Sequence, residues 1–373
     1  MKLTIERAAL LRSLSHVQSV VERRNTIPIL SNVQMAVADG RLGLTATDMD
    51  LAIVEAVDAA VETEGATTAP AHTLYDIVRK LPDGAQVELD AAGDSGQIKL
   101  RAGRSRFTLQ TLPTGDFPQM TSGDLPHRFT LAASELRTIV DRTRFAISTE
   151  ETRYYLNGIY LHTAETDGGT EVLRAVATDG HRLARVEMPL PDGAAGMPGV
   201  IVPRKTVNEL RKLIDETEED VEVGLSDAKI RFAFDDVELT SKLIDGTFPD
   251  YDRVIPTDND KMLDVACNHF AAAVDRVATI STEKSRAVKL SVANNTVTLT
   301  ASSPESGTAT EEIEVEYDQG DIEIGFNARY LLDITQQIEG ETAQFSMADA
   351  ASPTVVKDLD DPSALYVLMP MRV

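Results

Sequence analysis

A single cysteine, Cys267, stands in a chain of 373 residues. That excludes an internal disulfide and any metal site built on Cys-x-x-Cys ligands. No apolar run approaches the roughly 18 residues of a membrane span. Charges at Glu6, Arg7 and Arg12 interrupt the first apolar stretch, where a signal peptide needs an unbroken one. These absences lead to the expectation of a cytoplasmic protein with no membrane contact. Catalytic signatures are missing too: there is no GxxxxGK[ST], no HExxH and no GxSxG. The six histidines are scattered. The acid pairs Glu150-Glu151 and Asp360-Asp361 read as solvated loop charges, not as carboxylates holding two metals in a cleft. The expectation is no catalytic residue, no nuclease site, no metal and no cofactor. Cations are also in deficit, with 36 Lys and Arg against 60 Asp and Glu and a net charge of −24.

What the chain does have is repetition. Leu3 to Leu14 (LTIERAALLRSL), Phe129 to Val140 (FTLAASELRTIV) and Leu263 to Val274 (LDVACNHFAAAV) each read as a short alternating strand, a polar residue, then a helix with apolar residues three and four apart. Their starts lie 126 and 134 residues apart. Further helical segments recur at His72–Leu81, Arg204–Ile214 and Asn327–Ile338. TLPTGDFPQM (Thr111–Met120) matches KLIDGTFPDY (Lys242–Tyr251), and ATDMDLA (Ala46–Ala52) matches ATDGHRLA (Ala177–Ala184). The chain therefore divides into three like domains, 1–123, 124–257 and 258–373, each long enough to bury its own core. An array of like domains builds a surface, whereas an enzyme needs one asymmetric site.

The charge deficit is uneven. Helices predicted over 6–24, 72–80, 134–144, 203–213, 268–277 and 327–338 hold 15 Lys and Arg against 8 Asp and Glu. They carry +7, which leaves −31 for everything else. Solvated helix faces admit Glu as readily as Lys, so a scarcity of Glu points to a molecule with two electrostatic faces.

Between the helices lie runs of short alternating strands, such as Arg41–Ala46, Lys229–Phe234 and Val237–Leu243, separated by turns such as Asp83-Gly84 and Asp192-Gly193. About eight strands and two helices per domain give an α+β class, with helices on one face of antiparallel sheet. Strung domains leave sheet edges at both ends, which two chains joined head to tail would cover in a closed two-fold ring. The Arg104–Leu112 segment is a candidate edge, with Phe107 and Leu109 on one face; an ordinary interior hairpin strand is the alternative.

Five segments carry a resemblance along the full length: TIPILSN (Thr26–Asn32), TRYYLNG (Thr152–Gly158), ATDGHRLA (Ala177–Ala184), FPDY (Phe248–Tyr251) and MPMR (Met369–Arg372). The chain resembles the β subunit of bacterial DNA polymerase III, the sliding-clamp family. The resemblance implies the DNA-clamp fold: three tandem domains with sheets outside and two helices each inside, paired head to tail as a homodimeric ring around duplex DNA. It implies a non-catalytic processivity subunit whose partners are the replicative polymerase catalytic subunit, clamp-loader subunits, other polymerases and repair proteins.

Two surfaces follow. A helix-lined hole needs cations that contact phosphates without reading bases. Arg79, Arg137, Arg142, Arg204, Lys205, Arg211 and Lys212 are the candidates on helices, and Arg24 with Arg153, Tyr154 and Tyr155 matches family segments that touch DNA. The second surface is a peptide pocket between the second and third domains. The family's pocket positions fall on Leu156, Thr178, Gly180, His181, Arg182, Leu183, Pro249, Val254, Val367, Met369, Pro370, Met371 and Arg372. Methionine suits a groove that repacks around several partners. Leu365, Val367 and Met369 alternate to the end of the chain, so a docked strand is expected there. Phe107, Leu109 and Ile280 are the carried-over dimer contacts. Departures exist: the third repeat has ASSPESG (Ala301–Gly307) where the second has its Gly-His-Arg-Leu, so one pocket per chain is expected, and the third-domain helices sum to zero charge. Two other readings compete, a protein-binding scaffold that does not encircle DNA and a hydrolase built around Asp179 and His181.

Overall fold

Alternating apolar residues make strands of much of this chain, and among the described residues six stretches with apolar residues three or four apart make α-helices. The computed structural model describes residues 1–91, 96–281 and 286–372. The first repeat runs β1 (Lys2–Glu6), α1 (Arg7–Gln18), β2 (Asn32–Ala38), β3 (Arg41–Thr47), β4 (Leu51–Asp58), β5 (Ala60–Thr63), β6 (Gly65–Pro70), α2 (Ala71–Lys80), β7 (Gln86–Asp90), β8 (Gln97–Ala102) and β9 (Ser105–Gln110). The second runs β10 (His127–Ala132), α3 (Ala133–Arg144), β11 (Gly158–Glu165), β12 (Glu171–Thr178), β13 (Arg182–Pro189), β14 (Val200–Pro203), α4 (Arg204–Ile214), β15 (Asp220–Leu225), β16 (Lys229–Phe234) and β17 (Val237–Lys242). The third runs β18 (Lys261–Ala266), α5 (Cys267–Ala278), β19 (Ala287–Ala293), β20 (Thr296–Ser303), β21 (Gly307–Glu314), β22 (Ile322–Asn327), α6 (Ala328–Thr335), β23 (Thr342–Met347), β24 (Thr354–Asp358) and β25 (Ala364–Leu368). Each repeat opens strand-then-helix and later repeats that step, as the sequence parallels require.

Contacts gather these elements into two bodies that cut through the middle repeat. The first holds Met1–Arg137, Pro191–Met197 and Lys205–Leu243. It contains a five-stranded sheet ordered β5-β1-β7-β8-β9 and an eight-stranded sheet ordered β10-β15-β16-β17-β4-β3-β2-β6. The larger sheet joins two repeats, because β17 pairs antiparallel with β4 from Val237 opposite Glu55 to Ser241 opposite Leu51. Helix α1 packs on α2 and buries Leu10, Leu14 and Val17, while α2 buries Ala71, Leu74 and Val78. Each fully buried side chain of this kind stabilises by roughly 1.5–3 kcal/mol.

The second body holds Thr138–Leu190, Pro198–Arg204 and Ile244–Val373. Its eight-stranded sheet is ordered β14-β11-β12-β13-β25-β24-β23-β18, and its four-stranded sheet β21-β20-β19-β22. Here β13 pairs with β25, from Arg182 opposite Leu368 to Val186 opposite Ala364. Helix α5 packs on α6 through Phe270, Val274, Leu331 and Ile334. Every pairing among the described residues is antiparallel, giving an α+β architecture. No helix among them is long and apolar enough to cross a membrane.

Three expectations shift. The first helix ends at Gln18, not at residue 24. The N–H groups of Ser19, Val20 and Val21 bond to carbonyls three residues back, tightening the chain into a turn that buries both valines. The carbonyls of Val20 and Val21 are taken by Lys205 Nζ and His72 Nε2. The sixth helix ends at Thr335, where Gln337 N–H also bonds three residues back. The C-terminal strand stops at Leu368, and every residue of β25 is buried, so both faces of the sheet are covered there. Met369 is therefore exposed beyond the strand, not part of its alternation. The charge partition survives these changes: the six observed helices hold 13 Lys and Arg against 6 Asp and Glu, again +7.

Candidate functional site

The second body carries a cluster of buried apolar side chains, Leu156, Val176, Leu183, Ile201, Phe248, Tyr251, Val355, Leu365 and Val367. Tyr155, Tyr160, Ile244 and Ile255 pack on it half-buried. Sheet alternation points Leu183 and Val367, cross-strand partners on β13 and β25, into this cluster. Around it the chain leaves Tyr154, Val254 and Met369 exposed.

One side of this site is a turn, Thr178 to Arg182. Thr178 Oγ1 donates to the Arg182 carbonyl at 2.7 Å and accepts from Gly180 N–H at 3.1 Å. Asp179 Oδ1 accepts the N–H groups of His181 and Arg182 at 2.9 and 3.0 Å. Gly180 has φ +87°, and an added Cβ would sit 2.6 Å from a guanidinium nitrogen of Arg153. The glycine thus permits both a left-handed turn and the approach of Arg153. Met369 N–H donates to the His181 carbonyl at 2.9 Å, and Met371 N–H to the Gly325 carbonyl at 2.7 Å, so the tail is tied down past its last strand. Pro370 and Met371 are half-buried; Arg372 and Pro249 are exposed.

The first body contains the same turn. Thr47 Oγ1 donates to the Leu51 carbonyl, Met49 N–H donates to Thr47 Oγ1, and Asp48 Oδ1 accepts from Asp50 and Leu51. Lys242 N–H donates to the Asp50 carbonyl, as Met369 does to His181. Met49 takes the left-handed position with φ +78°. The apolar cluster of that repeat is smaller, Ile29, Leu30 and Phe117 with Leu112.

A polar layer beneath the second-body cluster was not singled out in the sequence. Phe248 stacks on Tyr160 at 4.9 Å, and Tyr160 on His162 at 4.4 Å. His162 Nδ1 donates to the Thr163 carbonyl, so Nε2 accepts the Tyr251 hydroxyl proton at 2.9 Å while Arg174 donates to the same oxygen at 2.9 Å. Arg174 is buried against Glu187. Burial pushes the His162 pKa down against its bond to Thr163, and Arg174 adds to that shift. Only the FPDY segment signalled this layer, since His162, Arg174 and Glu187 sit at unremarkable strand positions.

The acid–base reading of Asp179 and His181 fails on geometry. Asp179 spends Oδ1 on two backbone N–H groups and Oδ2 on Arg182 Nε, while the His181 ring stacks towards Tyr330 at 6.5 Å. No group of three or more His, Cys, Asp or Glu among the described residues is arranged to hold a metal.

The basic candidates separate by what holds them. Arg24 lies in the turn after α1, exposed beside Arg23, and Arg204 is exposed at the start of α4. Arg79 pairs with Asp76 and Lys212 with Glu209, and both stay largely in solvent. Arg211 is more covered and pairs with Asp215. Lys205 binds Asp48 and the Val20 carbonyl; burial opposes its charge, but Asp48 and Glu22 outweigh that and raise its pKa. Arg137 donates to the carbonyls of Ile214 and Thr217 and to Glu218. Arg142 is a correction: it is buried, bound to Asp361, Ser363 and Glu339, and does not present a cation to solvent. Arg153 pairs with Glu150 beside Gly180, so its place is the turn of the apolar site. Tyr154 is exposed edge-on to Tyr155, whose ring packs on the cluster. In β9, Phe107 is exposed and Leu109 half-buried. Among the described residues this strand pairs only with β8, so it is a sheet edge and not an interior strand. Ile280 is half-buried in the turn after α5.

Comparison with known proteins accounts for the whole chain. Residues 1–121, 130–250 and 252–372 match the N-terminal, central and C-terminal domains of the DNA polymerase III beta subunit. The beta sliding clamp of Caulobacter vibrioides is 59% identical over 373 residues, covering 100% of both chains, and that of Escherichia coli K12 is 41% identical over 374, again with 100% of both covered. A crystal structure of a Bartonella birtlesii sliding clamp bound to griselimycin aligns over 100% of both chains at 49% identity with a TM-score of 0.97. A Pseudomonas aeruginosa clamp bound to griselimycin aligns over 100% of both at 40% identity with a TM-score of 0.93. The chain belongs to the DNA polymerase III beta subunit family, the sliding clamps that serve as non-catalytic processivity subunits.

Proposed function

We propose that this chain closes into a head-to-tail homodimeric ring around duplex DNA and tethers the replicative polymerase, clamp-loader subunits and other DNA-processing proteins in the cytoplasm. The observation that carries this reading is the charge partition, +7 on six helices in a chain of −24. An acidic helix layer would repel the duplex and a neutral one would offer its phosphates nothing, whereas a modest positive excess attracts the backbone without reading bases and so permits sliding. Arg24, Arg79, Arg204 and Lys212 are the phosphate contacts of this reading, because their guanidinium or ammonium groups remain in solvent; Arg137, Lys205 and Arg211 serve the fold first, and the exposed Tyr154 is a separate sugar-facing surface. Partner segments with apolar side chains dock over the Leu156–Val367 cluster, bordered by Thr178–Leu183, Pro249, Val254 and Met369–Arg372. The edge strand β9, with Phe107 and Leu109, meets a third-repeat edge near Ile280 of a second copy. In domain terms the ring repeats 1–123, 124–257 and 258–373.

The test compares retention on nicked circular DNA before and after linearisation, with a cognate loader and ATP. Protein held on circles and lost from linear ends supports a topological ring. Equal retention on both means direct DNA binding and sinks the reading; no retention on either favours the protein-binding scaffold.

A further inference from the structure

Helices α1, α3 and α5 open the three repeats with 12 residues each and align without gaps, so His16, Arg142 and Arg276 share one position. Arg276 stays largely in solvent and pairs with Glu311 of its own repeat. His16 and Arg142 are buried, and each reaches a carboxylate of the following repeat. Arg142 is bound to Asp361 and to Glu339, the latter just past α6. His16 Nε2 lies 3.2 Å from Glu216 Oε1, just past α4, while Nδ1 lies 2.7 Å from Glu55 of its own repeat. The first and second repeats thus meet here through a group that titrates near neutrality, the second and third through one that does not. A charged imidazole has two N–H groups and serves both carboxylates. A neutral one has a single N–H and leaves one carboxylate facing a lone pair.

We infer that His16 is a proton-operated latch between the first two repeats: charged, it ties α1 to the turn after α4, and neutral, it lets that turn go. Glu55 is buried, with the Ser13 hydroxyl as its other donor, so it keeps the single N–H of the neutral ring. Glu216 is half in solvent and can turn towards Arg12. A cavity of about 640 Å³ beside the ring gives it room. Charge along that cavity favours parting once the ring is neutral. There β4 adds Asp58, the turn after α4 adds Glu218 and Glu219, and the β16–β17 turn adds Asp235 and Asp236, against Arg12 and Arg41. Burial opposes the charged ring, but Glu55 and Glu216 outweigh it and raise its pKa. Ser19 bonded to Glu209 and Lys205 to Asp48 hold the other end of the same junction, so the release is local. Arg142 keeps the matching junction of the second and third repeats closed through neutral and alkaline pH. Each chain therefore has one titratable joint and one fixed joint.

The test is amide exchange on the full-length protein from about pH 6 to about pH 9, with each rate divided by its intrinsic chemical rate. Protection over 213–219 should fall roughly threefold to tenfold across that range in wild type, as coupling within one charged network implies. Protection over 138–147, around Arg142, should stay constant. His16→Arg gives the first junction the cation of the second and should hold 213–219 protected throughout. His16→Gln should leave it weakly protected at every pH, with the slope gone. If His16→Arg fails to fold, Glu216→Gln replaces it, and its profile should also be flat. A flat profile in wild type would overturn the proposal. So would a fall that persists in the variant used, or one of equal size at 138–147.

Discussion

A buried and a half-buried histidine titrate in opposite senses, and each makes a distinct demand on stability. His16 Nδ1 lies 2.7 Å from Glu55 and Nε2 3.2 Å from Glu216. Burial works against the charged ring, but the two carboxylates outweigh it and raise its pKa above the ordinary 6.5. Its contribution is full below pH 6.5 and is lost as pH rises through the raised value. His162 is the reverse: burial keeps it neutral, its pKa is lowered, and its contribution is present above 6.5 and lost as pH falls towards the lowered value. Urea denaturation between pH 5.5 and 8 should therefore give His16→Gln a stability that rises with pH and His162→Gln one that falls. Parallel slopes in the two variants would contradict these assignments. Gly180 makes a third demand. In Gly180→Ala the new Cβ meets Arg153 at 2.6 Å and the residue must hold φ +87°. A loss of roughly 1–3 kcal/mol in denaturant midpoints is expected, together with weaker griselimycin binding.

At the level of elements, the turn shared by Thr47–Leu51 and Thr178–Arg182 was legible from the ATD repeat alone, because Thr and Asp at fixed offsets cap the same amides in both copies. The strand-then-helix units were equally legible, since their apolar spacing differs from that of the strands around them. The end of α1 was not, because Val20 and Val21 continue an apolar pattern while tertiary burial turns the chain. Nor was the fate of Arg142, as nothing at position 142 indicates that Asp361 lies against it. The edge role of β9 was half legible: Phe107 and Leu109 alternate, but only the sheet order leaves the strand with one neighbour. Ala102 and Ser105 close a two-residue hairpin with Gly103 at φ +58°, a type II′ turn whose closing pair is hydrogen-bonded. Bonded pairs then alternate along the ladder, so Phe107 and Leu109 bond to β8 and the N–H of Thr108 points to the open edge. Thr108→Pro removes only that outward donor. Under the ring reading it should convert a dimer to a monomer in sedimentation velocity while leaving the thermal midpoint within a few degrees. A variant that stays dimeric would place the interface elsewhere.

For the whole molecule, the question is whether closure or contact holds the protein on DNA, and the charges allow the two to be separated. Arg24, Arg204 and Lys212 are exposed, and among the described residues Lys212 alone of the three has an ion-pair partner, the buried Glu209 on its own helix. Glu209 is buried but keeps the Ser19 hydroxyl as a donor, and an amide at position 212 can still donate to it, so replacing all three by Gln should leave the fold intact with any cost confined to Glu209. Each lost phosphate contact should reduce the salt slope of DNA association by about 0.9. Loading in the presence of a loader should therefore slow and become less salt-sensitive, yet loaded protein should remain on nicked circles as long as wild type, because a closed ring needs no contact to stay. Arg142→Gln is the contrasting case. Its partner Asp361, drawn down to about pKa 2 against its burial by Ser363 and Arg142, would lose its cation. Breaking such a pair costs at the lower end of roughly 3–5 kcal/mol, as Asp361 keeps some solvent. That variant should lose thermal stability, and any DNA defect should disappear when activity is scaled to the folded fraction. If the triple variant instead leaves circles as quickly as linear DNA, retention depends on phosphate contacts and the ring does not close.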